Sequence, residues 1–296
     1  MKLSSRAQRN IRGYGFMTPF LLLFFVFSAL PVLVSVILSF TDYNMIEKPA
    51  FIGLENYKNL FLNDQEFLIA LKNTFVFAFV SGPVSFIASF IMAWVINRME
   101  RFKTAFSLAF YAPSITSGVA LSSVWLYFFS SDSYGLINSV LLRSGILTKP
   151  IQWTLDSRYV LGVVIFISIW MGMGTGFLTF LAGLQNLSPD VNEAGMIDGV
   201  KNSAQELWYL TLPQLKPQLL FGSINSAVAA FSVFDIAVQV AGLPSPNYAA
   251  HTIVVHLYDY AFIRFEMGYA SSVSVILFLL TFAFGRIFMK VFSEKQ

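Results

Sequence analysis

Asn225, Ser232, Asp235 and Gln239 recur on one face of a predicted helix at about 100° per residue. Two amides, a hydroxyl and a carboxylate make the donor and acceptor set that binds hydroxyl-rich solutes, with aromatic stacking added. Asp235 is the charged member, and a charge inside an apolar segment is costly enough to mark a candidate functional residue. Polar contacts between helices would explain the same stripe equally well. Ser168, Thr175 and Thr179 form a second set, whose hydroxyls are expected to bond back to their own backbone. Trp125 and Trp170 could stack on a ring, but packing or an interfacial position is the simpler reading. His251 and His256, close to Tyr258 and Tyr260, read as interfacial anchors. Asp235 has no His–Glu or paired-Asp constellation at its level, which disfavours a membrane-embedded enzyme. The chain has no Cys and two His, so thiolate chemistry and a multi-His metal site are excluded. No G-x-x-x-x-G-K-[ST] loop is present, so ATP is not hydrolysed here by that route. No cofactor, metal or nucleic acid is expected.

The elements that must position these residues follow from composition. Of 296 residues, 56% are hydrophobic and 12% charged, against about 25% charged in soluble domains. Mean hydropathy is +0.66, and 32 residues are Phe. So few charges cannot cover a soluble surface of this size, which predicts an all-α protein integral to the membrane and in contact with lipid. A bilayer needs about 20 apolar residues per helix. Six spans result, at 16–40, 73–97, 104–130, 159–185, 217–240 and 268–290. The first is too long for a signal-peptide core of about 7–15 residues and is read as retained. With the N-terminus cytoplasmic, Lys2, Arg6, Arg9, Arg12, Arg98, Arg101, Lys103, Lys201, Lys216, Arg286, Lys290 and Lys295 fall on the inside. They are 12 of the 19 Lys and Arg, so both termini are placed in the cytoplasm. Pro31, Pro83 and Pro113 predict kinks. Gly172 and Gly176 make a small-xxx-small pair for close helix packing.

The longest cytoplasmic segment, 188–217, reads as two short helices. Ser188 with Pro189 starts the first, Asp190 and Glu193 complement its dipole, and Gly199 ends it. Ser203-x-x-Glu206 reads as a capping box for the second, with Pro213 and Pro217 closing it. Met196, Ile197, Val200, Ala204 and Leu207 would be costly to expose. They either pack beneath the transmembrane helices or form a docking surface.

Glu193-Ala194-Gly195-x-x-Asp198-Gly199 followed by Leu210-Thr211-Leu212-Pro213 resembles the EAA loop of ABC importer permeases. Phe40-Thr41-Asp42-Tyr43, Gly53-Leu54-Glu55-Asn56-Tyr57, Asn73-Thr74, Leu181-Ala182-Gly183-Leu184-Gln185 and Met267-Gly268-Tyr269-Ala270-Ser271 extend the resemblance over nearly the whole chain. It is similar to the six-helix carbohydrate-importer permeases, including the larger maltose and glycerol-3-phosphate permease subunits. The resemblance implies a type I importer permease fold with a cytoplasmic coupling helix. In that family the loop sits in a cleft of the ATP-hydrolysing subunit. Glu193 would pair with a basic residue there, and Gly199 would be the turn glycine. Ala194, Gly195, Asp198, Leu212 and Pro213 complete the coupling set. Gly195 departs from the usual second Ala, and ten residues separate Gly199 from Leu210, one more than the commonest spacing. The implied partners are an ATP-binding subunit dimer, a second and related permease chain, an extracytoplasmic solute-binding protein and lipid. The implied location is the inner membrane of a bacterium or archaeon. The organisation expected is a first helix and outer loop over 1–66, a transporter domain over 67–290 and a tail over 291–296. The solute class implied is a sugar or oligosaccharide, with a glycerophosphodiester or glycerol-3-phosphate as the alternative.

Overall fold

A computed structural model describes residues 5–292. Lys2, the side chains of Arg6, Arg9 and Arg12, and those of the predicted tail 291–296 lie outside the described residues. Among the described residues, four helices are long and apolar enough to cross a bilayer, and up to six spans result if each of two bent pairs counts as one. The chain divides into two compact units, Met1–Asn63 with Leu257–Ile276, and Asp64–His256 with Leu277–Gln296.

In the smaller unit, α1 (Ser5–Phe24) passes through a π-helical turn at Phe25–Ala29 into α2 (Leu30–Leu38). Pro31 follows that π turn within one continuous helix, so the bond its missing N–H would make is given up where the helix is locally widened. The most apolar window of this span is unburied, as suits a helix whose solvent is lipid. Strands β1 (Thr41–Asp42) and β2 (Ala50–Phe51) pair antiparallel, Thr41 opposite Phe51, ahead of the single turn α3 (Glu55–Lys58). The buried Asn56 amide donates to the Ser39 and Thr41 carbonyls at 2.9 Å each, and Tyr57 donates to Ser39 Oγ at 2.8 Å. Gly268 donates its N–H to the Tyr43 carbonyl at 2.9 Å, and a Cβ at this glycine would lie 2.0 Å from the Thr41 oxygen. The Phe40–Tyr43, Gly53–Tyr57 and Met267–Ser271 signatures thus meet in one hydrogen-bonded corner.

The larger unit opens with α4 (Gln65–Asn97), whose N-cap Asp64 accepts from the Phe67 N–H at 2.8 Å. This helix starts eight residues before the predicted span and runs unbroken through Pro83. The third span does not form one helix. It is α5 (Lys103–Ile115) and α6 (Gly118–Phe128), bent by 98° just after Pro113. A proline in the last turn and non-helical backbone at Thr116 and Ser117 end the helix there. Next come α7 (Leu136–Arg143) and α8 (Val160–Gln185). The loops flanking α7 are held by Asn138, which is fully buried. Its amide donates to the carbonyls of Ser130, Asp132 and Ile151, and its oxygen accepts from Ile151 N–H and Trp153 Nε1.

α8 lies at the centre of this unit, against α4, α5 and α12. A Cβ at Gly174 would fall 2.5 Å from Ser114 Oγ on α5, and one at Gly176 would fall 3.0 Å from Ser89 Oγ on α4. Of the predicted small-xxx-small pair, Gly176 serves close packing, whereas a Cβ at Gly172 would meet Ser85 Oγ only at 3.7 Å and Gly174 makes the second close approach instead. Trp125 and Trp170 meet edge to face, centroids 5.2 Å apart, within a cluster holding Phe129 and Phe166, so they pack and do not line a site. The cytoplasmic loop supplies α9 (Pro189–Ile197), α10 (Ser203–Glu206) and α11 (Leu212–Gln214). The fifth span is again broken, into α12 (Lys216–Phe231) and α13 (Asp235–Ala241), bent by 40°. Its freed backbone is satisfied locally, Thr252 Oγ1 donating to the buried Val233 carbonyl at 3.0 Å. α14 (Ile253–Tyr258) and α15 (Met267–Phe292) complete the chain.

The interfacial reading of His251 and His256 is not met. Both are within 1% of full burial, ring against ring with centroids 5.5 Å apart. His256 Nε2 lies 3.2 Å from the Asp64 carboxylate, and His256 also packs on Phe67. Asn73 fixes this arrangement by donating to the Tyr248 and His251 carbonyls at 2.8 and 3.0 Å, which draws the segment inward.

Asn138→Leu is expected to lower the stability of the detergent-solubilised protein by about 3 kcal/mol, because three part-buried carbonyls, Ile151 N–H and Trp153 Nε1 lose their partner. Thermal unfolding of the variant measures this.

Candidate functional site: an internal cavity and the 188–217 loop

A cavity of about 600 Å³ opens between α4, α8 and the broken α12–α13 helix. Asn225, Ser232 and Asp235 line it, as the polar stripe predicted. Gln239 does not. The stripe assumed one continuous helix, and the non-helical backbone at Ser232 and Phe234 breaks the 100° phase before α13 begins. The same break puts Asp235 in the first turn of α13, where its carboxylate complements the helix dipole.

Ser168, Thr175 and Thr179 also line the cavity. Thr175 and Thr179 bond back to the Gly172 and Thr175 carbonyls at 3.4 Å, long bonds that leave both hydroxyls available. Ser168 Oγ is buried and makes no bond among the described residues. On α4, Ser81, Ser85 and Ser89 join the lining, and Ser226 of α12 ties to it by donating to the Gly82 carbonyl at 2.9 Å. Ring surface comes from Phe86, Phe221 and Phe234, with Phe221 58% exposed. Periodicity on α12 alone could not find the α4 and α8 hydroxyls. The signal was their serine content opposite small residues, and it looks the same for packing and for lining.

The cytoplasmic loop forms the second site. Pro189–Ile197 is helical with Ser188 at the N-cap position, although the Ser188 side chain makes no capping bond. The helix ends where predicted: Val200 N–H returns to the Gly195 carbonyl at 2.9 Å, and Gly199 takes φ +97°, which a side chain disfavours. Gly195 is buried, and a Cβ there would meet Leu210 Cδ1 at 2.5 Å. The departure from Ala therefore has a local cause: Leu210 seats directly on the α9 backbone.

The predicted Ser203–Glu206 capping box is displaced by one residue. Asn202 is the N-cap, its side chain accepts from Gln205 N–H at 2.8 Å, and Gln205 Oε1 accepts from Lys201 N–H at 2.9 Å. Ser203 and Glu206 are thereby released to accept from the Arg98 guanidinium at the end of α4, which also stacks on Trp94. Sequence reasoning placed Arg98 only in the count of inside charges. Its partners are about 105 residues away, which local spacing cannot show.

Glu193, Ala194, Asp198 and Gly199 are exposed, while Leu212 is half-buried against the apolar cluster around Phe180 and Pro213 is exposed. Met196 is 65% and Ile197 86% exposed, and Trp208 and Tyr209, which the sequence reading did not single out, are 68% and 67% exposed. Of the apolar set, Leu207 packs inward and Val200 is half-buried, so the two readings divide the loop between them.

A multi-pass helical membrane protein with broken spans, a polar internal cavity and an exposed cytoplasmic helix pair defines a transport component. The family model for the binding-protein-dependent transport system inner membrane component matches residues 85–296, and the chain belongs to that family of ABC transporter permeases. It is 32% identical to the probable ABC transporter permease protein YesP of Bacillus subtilis, over 94% of this chain and 89% of that protein. It is also 32% identical to the lactose transport system permease protein LacF of Rhizobium radiobacter, over 92% of this chain and 90% of the relative. A crystal structure of a bacterial ABC transporter that imports the acidic polysaccharide alginate shares the fold, with TM-score 0.81, 19% identity and 96% of each chain covered.

Gly195→Val should displace Leu210 and loosen α9 from the rest of the loop. Hydrogen exchange of the α9 amides is expected to rise by about tenfold, roughly 1.4 kcal/mol of lost local stability. Adding Leu210→Ala should restore protection, since it removes the clash.

Proposed function

We propose that this chain is one of two permease subunits of an ATP-driven, binding-protein-dependent importer that moves a sugar or oligosaccharide into the cell. The observation that carries the reading is the α9 surface, where Glu193 stands exposed beside Met196 and Ile197 on a helix closed by Gly199. Exposed apolar residues rimmed by charge mark a protein contact. The contact assigned here is the cleft of an ATPase subunit, with Glu193, Ala194, Gly195, Asp198, Gly199, Leu212 and Pro213 as the coupling set. ATP hydrolysis takes place on that separate subunit, and this chain performs no catalysis of its own.

Membrane physics supports the rest. Asn225, Ser232, Asp235 and Gln239 are exposed in the isolated chain. Polar groups at membrane depth face a wet path or another helix, not lipid. A second, related permease chain would complete the path. Solute would arrive from an extracytoplasmic binding protein, by analogy with the bacterial alginate ABC transporter seen in complex with an alginate pentasaccharide-bound periplasmic protein. The working cycle follows: closure of the ATPase dimer on ATP moves both coupling helices, the permeases tilt from inward- to outward-facing, and hydrolysis resets them. In this scheme 1–66 carries the first helix and outer loop, 67–290 the transporter domain with its loop at 188–217, and 291–296 a cytoplasmic tail. The setting is the inner membrane of a bacterium or archaeon. A glycerol-3-phosphate or glycerophosphodiester importer would use the same coupling parts.

Affinity purification of this chain from its native membrane, with mass spectrometry, should recover a P-loop ATPase and a second multi-pass permease. Glu193→Lys or Gly199→Val is expected to reduce ATPase recovery at least about tenfold while the second permease stays bound. Recovery of this chain alone from wild-type membranes in mild detergent would refute the reading.

A further inference from the structure

The cavity has largely apolar and ring surface set with hydroxyls, one amide and one carboxylate, and its charge is one-sided. Among the described residues that line it, Asp235 alone carries a charge, and neither Lys nor Arg is present. An anionic solute entering such a space sheds water and meets no cation from this chain's share of the lining, which is unfavourable. It would also meet the carboxylate of Asp235 in a medium of reduced dielectric, where like charges repel more strongly than in water. The N-terminal N–H groups of α13 offer no relief, because Asp235 itself occupies the first turn of that helix.

An uncharged polyol meets the opposite conditions. Ser168, Thr175, Asn225, Ser226 and Ser232 offer neutral donors and acceptors, and the carboxylate accepts two hydroxyl protons at once. Phe221, more than half exposed, presents a ring face against which the C–H face of a sugar can lie.

We infer that this cavity passes uncharged, hydroxyl-rich solutes and excludes anions, with Asp235 as the residue that sets the exclusion. The inference rests on the reading of the cavity as the solute path, and it decides between neutral sugars and phosphorylated or acidic ones.

The absence of Cys provides the test, because one introduced thiol is unique in this chain. Ser232→Cys and, separately, Thr175→Cys are placed in the whole transporter purified from its native membrane. Each is treated with a cationic trimethylammonium and an anionic sulfonate methanethiosulfonate of similar size. Modification is read as the mass shift of this chain, and each rate is divided by that of the same reagent on a small free thiol. The ratio of the two rates cancels any effect of the site on thiolate formation, which acts on both reagents alike.

The cationic reagent is expected to react about fivefold faster or more at residue 232. Asp235→Asn should bring that ratio close to one. An anionic reagent that reacts as fast as the cationic one with Asp235 present would overturn the charge exclusion and leave the cavity reading standing. The same holds for a preference that survives Asp235→Asn. Failure of both reagents at both positions would show that the cavity is dry, and would sink the solute-path reading together with the inference.

Discussion

The tightest contact of the larger unit is that of α8 with α4 and α5. It depends on Gly174 and Gly176, whose missing side chains let serine hydroxyls of α5 and α4 approach the backbone. Ser89 then donates to the Met173 carbonyl at 2.7 Å, converting closeness into a polar bond between helices. Without a hydrophobic drive between helices in lipid, packing and such bonds are what hold a transmembrane unit together. The same small residues leave the space that α12 and α13 border. The packing seam and the polar cavity are therefore two outcomes of one feature, a glycine- and serine-rich meeting of α4 with α8.

Two spans are broken, and each break needs its backbone groups satisfied by neighbouring protein or by the cavity it lines. At the fifth span the Val233 carbonyl is taken by Thr252. The segment around Thr252 is itself anchored on α4, through Asn73 to two carbonyls and through Thr74, whose hydroxyl accepts from Ile253 N–H at 2.9 Å. The Asn73-Thr74 pair thus supports the break at Ser232–Phe234 from a distance, by holding the segment that caps it. The break in turn sets Asp235 at a helix start on the cavity wall. A polar pair in the first half of α4 thus braces the segment that caps the break beside Asp235, the one charged group among the described residues lining the cavity.

The cytoplasmic loop is held at two points. Leu210 seats on Gly195 within the loop, and Arg98 at the end of α4 grips Ser203 and Glu206. A partly exposed ion pair of this kind contributes on the order of 1 kcal/mol or less to stability. Its value is geometric: it ties the start of α10 to the end of α4, the helix that carries one wall of the cavity.

Composition and local spacing determined the membrane class, the approximate positions of the six spans, and the start of α9 at Pro189 with its end near Gly199. These follow from properties each segment carries alone: apolar length against bilayer thickness, a proline that suits a first turn, a glycine that tolerates positive φ. Local spacing also pointed to Asn225, Ser232 and Asp235. It failed at Gln239, because helical phase holds only while the helix is unbroken, and neither Pro nor Gly marks the break at Ser232–Phe234. It also misplaced the histidines, whose burial depends on Asn73 and Asp64 nearly two hundred residues earlier. Asn202 takes the N-cap one residue before the expected capping box, and Ser203 and Glu206 bond Arg98 instead, a partner too distant in sequence for local spacing to show. The serines of α4, the threonines of α8 and the stripe of α12 came together only in the tertiary structure. A hydroxyl in a membrane helix reads the same whether it packs, bonds its own turn or faces water, and only the neighbouring helices decide which.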